Sequence, residues 1–161
     1  MRNLDIHKTH TPNSLTKWYR IKSPQRVIFN FIIIYACRYC PSLALKRTLL
    51  RTTGMKIGKN TMIGLAATFD IFFPELIEIG NNCIIGYNTT ILAHEFLIRE
   101  YRTGIVKIGN NVMIGANSTI LAGTTIGDNA EISAMTLVNK DIEKNTHAGG
   151  IPSKTLRDTT I

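Results

Sequence analysis

Between residues 57 and 143 the large apolar side chains follow neither a helical period nor the alternation of a simple strand; they recur at every sixth position. The units read IGKNTM, IGLAAT and FDIFFP, then, after a slip of four residues, IGNNCI, IGYNTT and ILAHEF. An interruption follows, and the pattern resumes in phase with IGNNVM, IGANST, ILAGTT, IGDNAE, ISAMTL and VNKDIE. Each unit opens on a large residue, Ile, Val or Phe, and its fifth position is mostly small: Thr61, Ala67, Cys83, Thr89, Ser118, Thr124, Ala130 and Thr136. Self-similarity this regular predicts a solenoid in which each side of a triangular turn is one six-residue unit. The aliphatic residue points inward, Gly or Asn takes the turn, and the small fifth residue leaves room where the coil narrows. Four turns are predicted, 57–74, 79–96, 108–125 and 126–143, stacked at about 4.8 Å as parallel ladders. Such a short stack needs capping segments and subunit association.

The first fifty residues do not repeat. The stretch SPQRVIFNFIIIYACRYCPSLALKRTLLRTTG predicts a helix begun at Ser23 and Pro24 and stopped before Pro41, then a second helix closed by Gly54. The chain therefore divides into a basic, largely helical segment, 1–55, and a solenoid domain with its C-terminal cap, 56–161.

Charge sharpens that division. The formal net charge is +8, and it is unevenly spread. Residues 1–51 hold ten Lys and Arg against one acid, Asp5, while the remainder holds nine basic and ten acidic side chains, so +9 faces −1. Any bulk attraction to anions belongs to the N-terminal segment. Two placements of its helical hairpin follow: on an anionic membrane surface, with Arg26, Arg38, Lys46, Arg47 and Arg51 as flanking cations, or over the open end of the solenoid. The apolar run Val27–Cys37 is about half of what crosses a bilayer, and the start MRNLDIHKTH lacks the shape of a signal peptide. Three cysteines make no disulfide framework, so a reducing, cytoplasmic location is expected, with the inner membrane face as a secondary association. CRYC lacks the second pair of a metal site and is expected to supply core thiols, as is Cys83. The basic residues carry no nucleic-acid reading motif.

The hexads, the histidine before the interruption and the ending LVNKDIEKNTHAGGIPSKTLR together resemble the left-handed β-helix acyltransferases, in particular the sugar O-acetyltransferases related to galactoside and maltose acetyltransferases. The resemblance spans about residues 42–158, and handedness comes from it alone, since parallel crossovers are generally right-handed. It implies an all-β solenoid that is a left-handed parallel β-helix, with an N-terminal α-helical extension and a loop at 97–107 protruding from a wall that otherwise offers no concave site. It also implies a homotrimer with sites between neighbouring subunits, acetyl-coenzyme A as co-substrate, no metal, and direct attack of an acceptor hydroxyl on the thioester.

His94 stands at the base of the excursion, and the resemblance makes it the general base. An imidazole with an ordinary pKa of about 6.5 accepts a proton at neutral pH without being mostly protonated beforehand. Turn N–H groups nearby are expected to stabilise the oxyanion. His7, His10 and His147 are read as surface residues, and a zinc enzyme on such a solenoid would need three convergent imidazoles.

By similarity the pantetheine arm falls at Ala116 and Ala134, with Asn139 and Lys140 further along and Lys154 and Arg157 meeting phosphates. Met113 stands where the sugar acetyltransferases often carry Trp, and Asn139 where they often carry Thr. Asp70 falls at about the place where the family contacts its sugar, while Glu95 and Arg99, beside the base, are expected to orient it or to bind acceptor. Phe96 and Tyr101 would stack on a sugar ring or pin the loop. The sequence expectation is thus an acetyl-coenzyme A-dependent O-acetyltransferase acting on a sugar or cell-envelope glycan precursor. N-acetylation of an amino sugar and a non-catalytic polyanion-binding scaffold are the alternatives.

Overall fold

The computed structural model describes residues 2–10 and 12–159. Its body is a triangular parallel solenoid whose three walls are ladders of very short strands. The first wall stacks Lys56–Ile57, Ile77–Ile79, Val106–Ile108 and Thr125–Ile126. The second stacks Met62–Ile63, Ile84–Ile85, Met113–Ile114, Glu131–Ile132 and Thr146–Gly149, and the third Thr68–Phe69, Thr90–Ile91, Thr119–Ile120 and Leu137–Val138. The strand Lys154–Asp158 folds back antiparallel on Thr146–Gly149 to finish the chain.

Registers put like residues over like, Ile57, Ile79, Ile108 and Ile126 on the first wall and Ile63, Ile85, Ile114 and Ile132 on the second. These aliphatic columns are buried, and so are the small fifth residues Thr61, Cys83, Thr89, Ser118, Ala130 and Thr136. Burial pushes the Cys83 thiol up, and its Sγ donates to the Gly109 carbonyl at 3.0 Å, so it serves as a core residue.

The corners divide their chemistry in a way the hexad consensus does not reveal. The left-handed backbone conformation is taken by the fourth residue of the unit: Asn60, Asn82, Asn111, Asn129 and Asn145 at one corner, and Ala66, Asn88, Asn117 and Met135 at the next. Asparagine tolerates this conformation better than other residues with a Cβ, and here it also forms ladders: Asn82 Nδ2 donates to Asn111 Oδ1 at 2.9 Å, Asn111 to Asn129 at 3.0 Å and Asn129 to Asn145 at 2.8 Å. The second-position glycine answers a different need. A Cβ on Gly80 would lie 2.4 Å from the Gly109 carbonyl oxygen of the next coil.

The third corner has no second-position glycine and, among the described residues, takes the left-handed conformation at Gly123 alone, and both departures from the period leave through it. Equivalent residues lie 22 apart between the first two coils, 29 between the second and third, and 18 between the third and fourth. The first excess is the segment from Asp70 to the short 3₁₀ turn Pro74–Leu76, and the second is an antiparallel hairpin, His94–Phe96 with Glu100–Thr103. The expected loop at 97–107 is thus a hairpin that begins at His94 itself, with the chain back in the first wall by Val106.

Helices Pro24–Tyr39 and Leu43–Thr52 form over the predicted segments, and Gly54 follows with φ 102°. The first helix buries Val27, Asn30, Ile34 and Cys37, a stripe at helical spacing, against the solenoid end. Its basic neighbours cap that end: Arg51 Nε donates to the Ile57 carbonyl at 2.9 Å, Lys46 Nζ to Gly64 at 2.9 Å and Ile63 at 3.2 Å, and Arg38 Nε to Ala66 at 3.3 Å. Four cations flanking the greasy helix, with Arg47 on the Thr61 carbonyl, thus satisfy the backbone of the first coil. Cys37 is buried and its thiol pushed up to about 11 by that burial. Among the described residues no helix is long and apolar enough to cross a membrane.

Residues before the helices have an unexpected place. Strand Asp5–Lys8 pairs antiparallel with Glu100–Thr103, turning the excursion into a three-stranded sheet.

Candidate active site

The strand Thr68–Phe69 ends where Asp70 turns the chain: its Oδ1 accepts from the backbone N–H groups of Phe72 at 2.8 Å and Phe73 at 2.9 Å. Such a side-chain-closed turn is the ordinary use of Asp at a strand end. One coil later, Ile91 stacks on Phe69, so the chain leaving the third wall passes over Asp70. There Asp70 Oδ2 accepts from the Ala93 N–H at 2.8 Å and from His94 Nδ1. The Asp70 side chain is fully buried and that of His94 is 14% exposed.

Burial alone would raise the Asp70 pKa, but the hydrogen bond and charge of His94, together with the Phe73 and Ala93 amides, overcome it and hold the carboxyl below its usual range. An ionised carboxylate only accepts, so the proton between them sits on Nδ1 and the lone pair of the neutral imidazole is on Nε2. The ring is held on its flanks by Phe96, Phe72 and Phe73, with centroids 4.7, 5.0 and 5.6 Å away. Trp18, from the N-terminal segment, braces Phe72 edge-on at 5.7 Å. The result is an oriented base with one nitrogen fixed inward, suited to removing a proton from a bound hydroxyl.

The expected acceptor contact at Asp70 does not match this geometry. With both oxygens engaged and no exposed surface, Asp70 faces His94 and the backbone rather than a ligand. Glu95 is adjacent to His94 in sequence but points to the opposite face of the hairpin, where it pairs with Arg2. Alternation along a strand makes that unavoidable. Arg99 lies at the exposed hairpin tip, roughly 15 Å along the strand direction from His94, and its carbonyl accepts from Thr9 N–H at 2.9 Å.

The expected cofactor residues form two groups. Ala116 and Ala134 stack on one corner, where Met135 N–H donates to the Ala116 carbonyl at 2.8 Å. That corner precedes the third wall, whereas His94 follows it, so within one chain the wall separates His94 from Ala116 and Ala134. Asn139 and Lys140 follow the third wall, at His94's corner but two coils further, about 10 Å away. Lys154 and Arg157 are exposed on the last strand, where Arg157 Nε donates to His147 Nδ1 at 3.2 Å. Among the described residues no cluster of three or more His, Cys, Asp or Glu could hold a metal ion.

Sequence reasoning missed the pairing of Asp70 with His94 and the role of the first ten residues in the excursion. The first was within reach of the repeat itself, since counting 22 residues on from Asp70 lands two residues short of His94.

Two family matches cover the repeats: "Bacterial transferase hexapeptide (six repeats)" over residues 105–140 and "Hexapeptide repeat of succinyl-transferase" over 54–93. The Bacillus subtilis (strain 168) protein named "Putative acetyltransferase YvoF" is 50% identical over 155 residues, 96% of this chain and 90% of that protein. A hexapeptide-repeat acetyltransferase from Vibrio cholerae, VCA0836, superposes with a TM-score of 0.70 at 21% identity, covering 93% of this chain and 97% of its own. Galactoside acetyltransferase in complex with coenzyme A superposes with a TM-score of 0.67 at 26% identity, covering 85% and 82%. The winding shared with these structures is the left-handed β-helix.

Proposed function

As a member of the hexapeptide-repeat acetyltransferase family, this chain is, we propose, an acetyl-coenzyme A-dependent O-acetyltransferase with His94 as general base, acting on a hydroxyl of a sugar or glycan precursor. The carrying observation is the His94–Asp70 pair at the foot of the excursion.

In the proposed reaction Nε2 of His94 takes the proton of an acceptor hydroxyl as its oxygen attacks the thioester carbonyl. The C–O bond forms, the tetrahedral oxyanion collapses with loss of the C–S bond, and the proton passes to the departing thiolate. Asp70 keeps the tautomer and stabilises the imidazolium that forms in between. The relative solved with coenzyme A supports the choice of donor. Ala116 and Ala134 would follow the pantetheine arm, and Lys140, Lys154 and Arg157 the phosphates, as cations suit phosphate oxygens. Because one wall separates His94 from Ala116, the complete site is proposed to lie between neighbouring subunits of a homotrimer.

The test measures acetyl-coenzyme A-dependent release of free thiol with a panel of sugar acceptors, for the wild type and His94→Ala. The expected result is turnover that falls in the variant by on the order of 10² to 10⁴ while calorimetric cofactor binding persists. Full turnover by His94→Ala would overturn the reading, as would a folded wild-type protein that binds no acetyl-coenzyme A.

A further inference from the structure

The N-terminal strand Asp5–Lys8 leaves all four of its residues exposed, so it adds nothing to the core. It is nonetheless anchored at both ends. Asn3 N–H donates to the Gly123 carbonyl at 2.8 Å, Thr9 N–H to the Arg99 carbonyl at 2.9 Å, and Arg2 pairs with Glu95. Its seat is prepared on the other side as well. A Cβ on Gly123, which has φ +73°, would lie 2.3 Å from the Asn3 carbonyl oxygen, and one on Gly104 2.7 Å from the same atom. A strand held this firmly while burying none of its own side chains is explained by the surface it presents.

Register defines that surface. His94 pairs with Thr103 and Thr103 with Asp5, while in the next row Phe96 pairs with Tyr101 and Tyr101 with His7. Directly opposed residues share a face, so His7 and Asp5 lie on the face that carries His94. The contacts agree: the rings of His94 and Phe96 are 4.7 Å apart, Phe96 and Tyr101 6.0 Å, and Tyr101 and His7 stack at 4.5 Å with 14° between planes. His7 Nε2 also lies 3.3 Å from Thr103 Oγ1. The result is an unbroken row of rings running from the proposed base across all three strands to an exposed imidazole. Apart from Asp5, the charged side chains of the sheet are on its other face, where Glu95 pairs with Arg2 and Glu100 with Arg102.

Two strand spacings across and two residues along the strands separate His94 from His7, roughly 12 Å, or about two hexose rings. Packing accounts for the half-buried Phe96 and Tyr101, but not for an imidazole at the exposed end of the row.

We propose that His7 is a specificity-determining residue for the acceptor: the face formed by Phe96, Tyr101, Thr103, Asp5 and His7 receives a neutral glycoside of two rings, with its reacting hydroxyl at His94 and its second ring against His7. The inference rests on the acetyl-transfer reading given above and adds the size of the acceptor and the place of its far end. Imidazole, phenol, hydroxyl and carboxylate supply hydrogen bonds to ring hydroxyls, and the aromatic edges contact C–H groups.

The experiment compares kcat/KM for matched pairs of acceptors, lactose with galactose and maltose with glucose, at saturating acetyl-coenzyme A. Wild type is expected to favour the disaccharide, and His7→Ala to lower the ratio of disaccharide to monosaccharide kcat/KM about tenfold, the size of one lost hydrogen bond. His7→Gln, which keeps a donor and an acceptor, is expected to restore part of the ratio. Lys8→Ala is the control for strand integrity, because Lys8 is on the same strand and the opposite face; its ratio is expected to match wild type. A wild-type ratio of one, a ratio untouched by His7→Ala, or an equal loss in Lys8→Ala would overturn this inference and leave the transferase reading in place. Wild-type protein that binds acetyl-coenzyme A but acetylates neither member of any pair would overturn this inference alone, whereas folded protein that binds no acetyl-coenzyme A would overturn the transferase reading and this inference with it.

Discussion

Asp70 and His94 belong to successive coils of one solenoid corner, and the buried carboxylate of the first accepts the Nδ1 hydrogen of the second. The pairing exists because the two places where the hexad period fails leave the solenoid through the same corner. One interruption supplies the turn that holds the carboxylate and the other supplies the strand that starts with His94. In Asp70→Asn an amide replaces an acceptor-only group: its NH₂ would meet either the Phe72 and Phe73 N–H groups or the Ala93 N–H together with the His94 ring, and in both cases the charge that holds the imidazole proton on Nδ1 is gone. The imidazole then loses its fixed tautomer. The expected outcome is a fall in kcat on the order of 10² to 10³, with calorimetric acetyl-coenzyme A affinity unchanged, since neither residue faces the proposed cofactor line.

The same pair sets an acid limit to stability. The folded carboxyl of Asp70 is held below its unfolded value, because the His94 bond and backbone amides outweigh burial. A depressed folded pKa contributes stability that is fully present above the unfolded value, about 3.9, and is lost as pH falls through the folded one. Denaturant unfolding of wild type is therefore expected to lose stability progressively below about pH 4. Asp70→Asn, though less stable at neutral pH, is expected to show a shallower acid decline. Parallel curves for the two proteins would remove Asp70 from the acid response.

The fold was legible because a period of six is written in the chain by residues that pack identically, and the columns of Ile57, Ile79, Ile108 and Ile126 follow directly. Both helices were legible from Pro24, Pro41 and Gly54. His94 was legible because it sits where the period stops. What sits across from it was not, since Asp70 is joined to it by stacking of coils, and Arg2 to Glu95 by pairing of strands almost the whole solenoid apart in sequence. Glu95 and Arg99 were misplaced for a simpler reason. Nearness to His94 along the chain says nothing about which face of a strand a side chain takes, and the hairpin had been read as a loop. The basic helices left two placements open, on an anionic surface or over the solenoid end, and charge alone could not show that Lys46 and Arg51 meet the solenoid's own carbonyls.

The corner asparagines allow conformation and hydrogen bonding to be separated. Asn111 has φ 56°, accepts from Asn82 and donates to Asn129. Asn111→Ala loses both ladder bonds and places an ordinary Cβ residue in the left-handed region, which costs about 1–2 kcal/mol for the conformation alone. Asn111→Gly loses the bonds but not the conformation. Urea unfolding is expected to rank wild type above Gly and Gly above Ala, with about 1 kcal/mol between the variants. Gly80→Ala is expected to be worse than either, because its Cβ would lie 2.4 Å from a backbone oxygen that belongs to the adjacent coil and cannot swing aside.

Lys46 tests the capping role of the basic helices. Its side chain is 1% exposed, and burial lowers its pKa, so the ammonium sits there at a cost in solvation. That cost is offset by two charged hydrogen bonds to the carbonyls of Ile63 and Gly64 at the exposed end of the first coil. Lys46→Met keeps the stem and removes both donors. If Lys46 were merely a trapped charge, the variant would be more stable than wild type, as replacing buried ions by apolar side chains often is. If it caps the coil, two carbonyls lose their partner and the protein is destabilised by about 1–3 kcal/mol. The capping geometry predicts the second outcome, read as a lowered thermal midpoint and as faster amide exchange in the first coil than in the coils above it.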